Sequence, residues 1–124
     1  MKKLFVLFFA LACITTISCM HNGHNINITY NDDDHYYSMN AHFPKGETRN
    51  VEEYMDSRIG RKSNMSLANT QTDATLTLDD HTIFYKKKYP GFVEIKQDKN
   101  ANSDSSYHEI KSLCDGIKKL LTHN

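Results

Sequence analysis

The hydrophobic period of this chain switches between two and about three and a half residues, which confines it to a mixed fold of strands and helices. Residues 25–30 put Ile26, Ile28 and Tyr30 at every second position, the repeat of a half-buried strand. Asn31-Asp32-Asp33-Asp34 reads as a turn, because Asn and Asp side chains bond nearby backbone and tolerate unusual dihedrals. The alternation resumes at Tyr37, Met39, Ala41 and Phe43, and Pro44 ends it, so the two segments predict a hairpin. Asn50 then offers a helix N-cap, with Glu53 completing a capping box. Val51, Tyr54, Met55 and Ile59 recur at helical spacing, Gly60 is a C-terminal stop, and Arg58 and Arg61 suit the negative end of the helix dipole. Residues 61–73 are polar with little periodicity, which predicts a loop or at most a weak continuation of the helix.

Three strands in close order come next. Ala74, Leu76 and Leu78 alternate with threonines, and Asp79-Asp80-His81 makes a turn. In residues 82–88, Ile83 and Tyr85 are assigned to the buried side and Phe84 to the other. Pro90-Gly91 suits a type II turn, since Pro presets the first dihedral and Gly accepts the positive one. Val93 and Ile95 then point inward. A second helix is predicted over 105–121, capped by Asp104 or Ser105. Tyr107, Ile110, Leu113, Cys114, Ile117, Leu120 and Leu121 form its apolar stripe. The order β-β-α-β-β-β-α, with one stripe per helix to bury, predicts an α+β fold. It would be a single antiparallel sheet of about five strands with both helices on one face, over residues 26–124.

The first 18 residues stand outside that scheme. Lys2 and Lys3 precede the apolar run LFVLFFALA, and small residues lead to Ser18-Cys19. Positive, apolar, then small is the order of an export signal. The apolar run is shorter than the roughly 20 residues that span a bilayer, so a retained membrane helix is the lesser reading. Thr16-Ile17-Ser18-Cys19 resembles the lipobox of bacterial lipoproteins, with Thr16 where the pattern usually has Leu. The resemblance implies cleavage before Cys19 and acylation of its thiol, as in the small lipoproteins of bacterial envelopes. It implies a membrane partner through the lipid, with residues 19–25 as a short tether. Cys13 is a second candidate that would leave a very short apolar run, and plain secretion is the next alternative.

Composition narrows the function further. The 124 residues carry 15 basic and 15 acidic side chains, so there is no electrostatic footprint for nucleic acid. With Cys19 acylated and Cys13 lost, Cys114 is left with no disulfide partner. Among the seven histidines, His21 and His24 with His35 or His42 raise a metal reading, but two imidazoles fall short of the three or four ligands zinc needs. His81, His108 and His123 suggest no partner. Asp32, Asp33 and Asp34 lack the spacing of a calcium loop and are taken as a solvated turn.

Lys86-Lys87-Lys88 is assigned to an exposed strand whose charges deter edge pairing, with lipid headgroups as the alternative contact. Cys114 falls in an apolar stripe, where burial would quiet it as a nucleophile toward His108 or His81. Asn27-Ile28-Thr29 and Asn64-Met65-Ser66 match the glycosylation pattern, which matters only in a eukaryote. The expectation is an exported, lipid-anchored, non-enzymatic module that binds a protein or envelope component, with no cofactor, metal or catalytic residue assigned. The alternatives are a small hydrolase using scattered residues such as Tyr85, His81, Asp79 and Glu94, or metal handling by the histidines.

Overall fold

The computed structural model describes residues 19–20, 25–60 and 73–123, the first pair by backbone alone. The expected leader at 1–18, His21, His24 and most of the polar loop, including the Asn64 acceptor pattern, lie outside these residues. The strands are β1 (Cys19–Met20), β2 (Asn27–Asp32), β3 (Tyr36–His42), β4 (Asp73–Thr77), β5 (Ile83–Tyr89) and β6 (Phe92–Asp98). The helices are α1 (Thr48–Ile59) and α2 (Asp104–Thr122). All strand pairs are antiparallel, in the order β1-β2-β3-β6-β5-β4. The α+β architecture is the one the hydrophobic periods imply, with the two-residue β1 added at one edge. Cys19 and Met20 pair with Ile28 and Asn27 at the edge of the sheet.

The two faces of the sheet differ completely. Ile28, Tyr37, Met39, Ala41, Leu76, Phe84, Val93 and Ile95 are buried on the inner face. They meet Val51, Met55 and Ile59 of α1 and Ile110, Leu113, Cys114, Ile117 and Leu121 of α2 in one core. The outer face carries no helix. Its residues are the opposite parity of each strand, among them Tyr36, His42, Tyr85, Tyr89, Phe92, Glu94 and Lys96.

Three local assignments change. Helix α1 begins at Thr48, after a 3-10 turn at Lys45–Glu47, and has no side-chain cap. Asn50 therefore lies inside the helix, where its amide donates to the Glu47 carboxylate at 3.2 Å. Helix α2 is capped by Ser103, whose hydroxyl accepts from the Ser106 amide at 3.1 Å. In β5 the parity is reversed, with Phe84 and Lys86 buried while Ile83 and Tyr85 are only partly covered.

That reversal has an identifiable cause. The backbone N–H of Ile83 donates to Asn102 Oδ1 at 2.7 Å, and Asn102 Nδ2 donates to the Ile83 carbonyl at 3.0 Å. Thr82, fully buried, donates from Oγ1 to Ser106 Oγ at 2.7 Å beneath α2. With Thr82 inward, the two-residue period sends Phe84, Lys86 and Lys88 inward as well.

Candidate binding surface

The lysine run shows what this parity does to charge. Strand β5 lies between β6 and β4 rather than at an edge, so Lys86 is fully buried instead of exposed. Lys88 forms an ion pair with Glu52 of α1. Burial and the neighbouring Lys88 charge pull the Lys86 amine down to about 8, against the opposing pull of Glu52 and Asp56. Lys86 and Lys88 are thus inner-face structure under α1 while Lys87 lies on the outer face, and the run offers no continuous cationic strip.

The acidic turn is also structural. Asp33 Oδ1 accepts from the backbone N–H groups of His35 and Tyr36 at 2.8 and 2.7 Å, and these two bonds hold its carboxyl below the ordinary range. Asp32 turns to the inner side, where Lys99 Nζ donates to Oδ1 at 2.5 Å and the Tyr107 hydroxyl to Oδ2 at 2.7 Å. Burial raises the Asp32 carboxyl, but Lys99 and Tyr107 outweigh it and the net shift is downward from 3.8.

A folded-state value below the unfolded one means the Asp32 contribution is complete above the unfolded value. It fades as pH falls through the folded value. Because the pair is partly exposed, screening limits it, and Asp32→Asn is expected to cost about 1 kcal/mol at pH 7. Urea unfolding of both proteins at pH 7 and near pH 2.5 checks this: the gap should narrow at about the lower pH.

Cys114 is completely buried, and burial pushes its thiol well above the ordinary range. Neither His108 nor His81 is positioned to activate it. His108 Nε2 lies 3.6 Å from Asp104, one turn earlier on the exposed side of α2. His81 sits exposed in the β4–β5 turn at φ 69, a left-handed conformation unusual for a residue with a side chain. The proposed hydrolase residues do not converge either. Tyr85 and Glu94 share the outer face, but Tyr85 is hydrogen-bonded to Asp73, which pushes its hydroxyl up to about 12. Asp79 stays with His81 in the turn. Among the described residues no group of three or more His, Cys, Asp or Glu side chains is arranged to hold a metal.

Of two open clefts among the described residues, neither includes those four side chains. One, of about 500 Å³, lies between the start of α1 and Pro90; the other, of about 470 Å³, lies between the helices beside Arg58 and Lys111. The second has a firm wall. Arg58 donates to the Tyr54 hydroxyl at 2.6 Å and to Ser112 Oγ at 3.1 Å, tying the helices together.

The outer face is the more distinctive surface. Tyr36 and Tyr89 are the two exposed large hydrophobic side chains of the described chain, at 43% and 45%. Tyr89 stacks on Phe92 with ring centres 4.6 Å apart, and His42 lies against the same Phe92 ring at 4.7 Å. At the other end of the face the Lys96 ammonium lies 5.0 Å from the centre of the Tyr36 ring. Of these residues the sequence marks only His42, and that as a candidate metal ligand; Tyr36, Tyr89 and Phe92 belong to no motif. The signal was present, because inward Tyr37 forces Tyr36 outward, and inward Val93 forces Phe92 outward.

No family model, curated protein or solved structure matches the chain. Among the described residues no helix is long and apolar enough to cross a membrane.

Proposed function

We propose that the chain is an exported, lipid-anchored cell-envelope protein that acts as a non-catalytic binding module. Its contact surface is the helix-free face of the sheet, where it meets a protein or another envelope component. The observation that carries the binding reading is this face itself, which presents exposed aromatic rings. Rigid tyrosines on strands supply contact area at little entropic cost, which suits recognition better than bond chemistry. The export and lipid readings rest on the first nineteen residues, Lys2-Lys3, the apolar run and Thr16-Ile17-Ser18-Cys19.

Intact mass of the protein recovered from membranes tests the anchor. The expected result is a chain beginning at Cys19 with the added mass of a diacylglycerol thioether and an N-acyl group. A chain starting elsewhere, or Cys19 without lipid, removes this reading. For the binding surface, Tyr36→Ser should release a partner captured with the native protein while leaving its unfolding midpoint nearly unchanged. Retention of that partner would exclude the Tyr36 half of the face.

A further inference from the structure

The strand register brings the expected lipid site and the aromatic stack to the same end of the sheet. Met20, Asn27, His42, Phe92 and Tyr89 form one continuous row across five strands. Cys19 belongs to the next row, with Ile28, Ala41, Val93 and Lys88. Beyond the Tyr89 row come the exposed Pro90 and the 3-10 turn, whose Lys45 packs near Gly91.

Helix α2 ends there too. Its early Tyr107 reaches Asp32, and Tyr30 reaches the Cys114 carbonyl, so the helix runs antiparallel to β2. Its last turns, with Lys118 and Lys119, therefore lie toward the Cys19 end. The hairpin bearing Asp33 and Asp34, with Tyr36 beside it, is at the opposite end.

From this juxtaposition we infer that the end of the sheet carrying His42, Phe92 and Tyr89 rests in the headgroup layer of a phospholipid bilayer. The inference rests on the lipid-anchor reading and adds an orientation to it. Acyl chains leaving Cys19 put that end next to the lipid. Tyr89 and His42 suit the interface because each ring has an apolar body and a polar edge or tip, while the largely buried Phe92 packs between them. Lys45 and Lys119 are attracted to anionic headgroups, offset in part by Glu47 and Glu53 at the same end, whereas Asp33 and Asp34 at the far end are repelled. Tyr36 is six residues along β3 from His42, which places it about 20 Å from the lipid-facing row. The domain thus stands on one exposed tyrosine and holds the other away from the surface.

The absence of tryptophan makes a clean test possible. Tyr89→Trp and Tyr36→Trp each place a single reporter in the full-length, lipidated protein. Each is incorporated into phosphatidylethanolamine–phosphatidylglycerol vesicles with and without brominated acyl chains. The expected result is quenching of the position 89 reporter about threefold greater than that of the position 36 reporter, with a blue-shifted emission only when vesicles are present. His42→Trp reads the same row if the position 89 variant does not fold. Protein that floats with the vesicles but shows equal quenching at the two ends overturns the orientation and leaves the anchor reading intact. A blue shift at position 89 without vesicles assigns that row to self-association and also overturns it. Protein that does not float at all removes the anchor reading, and the orientation with it.

Discussion

Phe84→Ala should lower the unfolding free energy by about 3–5 kcal/mol, whereas Ile83→Ala should cost about 1 kcal/mol or less. Phe84 is 1% exposed and belongs to the core shared by both helices, so truncation removes its transfer energy and leaves a cavity. The Ile83 side chain lies on the uncovered side, and the residue's main anchorage is through backbone bonds to Asn102 that an alanine would keep. Urea titrations decide the matter, with the comparison made at equal slopes so that the midpoints report stability. The opposite ranking would mean that β5 is displaced by one residue. Its whole inner set, including Lys86, would then move to the outer face.

A comparable loss is expected where the helices cross. Gly116 lies in the middle of α2, where glycine costs about 1 kcal/mol relative to alanine. A β-carbon there would fall 1.6 Å from the Tyr54 hydroxyl oxygen and 2.4 Å from its ring carbon. The tyrosine cannot yield cheaply, because its ring packs against the core and its hydroxyl accepts from Arg58. Gly116→Ala should therefore destabilise the protein by about 1–3 kcal/mol, overpacking outweighing the small gain in helix propensity. In a Tyr54→Ala background the obstruction is gone, and Gly116→Ala should become stabilising by up to about 1 kcal/mol. Thermal and urea unfolding of the double-mutant cycle measures this. An additive cycle would show that Tyr54 and Gly116 do not meet.

How far the fold can be read from the chain depends on how local its causes are. Tyr37, Met39 and Ala41 in β3, Val93 and Ile95 in β6, and the stripe from Ile110 to Leu121 are patterned by their own periods. These elements take the faces their sequence indicates. Strand β5 is different. Ile83, Phe84 and Tyr85 are apolar at both parities, and three lysines follow, so the segment itself cannot choose a side. The choice is made by Asn102 and Ser106, about twenty residues later, and by Glu52 and Asp56 on a helix about thirty residues earlier.

The start of α1 was misplaced for a related reason. Asn50 and Glu53 have capping-box spacing, but the 3-10 turn after Pro44 already brings the chain into helical conformation by Thr48. The outer-face aromatics were legible by parity, whereas their assembly was not. His42, Phe92 and Tyr89 come from three strands, and their union needs the register of two pairings. Cys114 needed only its place in the stripe.

The buried amine under α1 has a chemical consequence of its own. Lysines react with acylating reagents according to how often they shed a proton, and the burial that draws Lys86 down to about 8 is undone in any state that admits a reagent. In the closed fold Lys86 has no surface through which a reagent can approach. Its modification must wait for α1 to lift, and the first acyl group attached would prevent the helix from closing over it again. The fold thus holds a nucleophile whose slow labelling keeps time for one local opening.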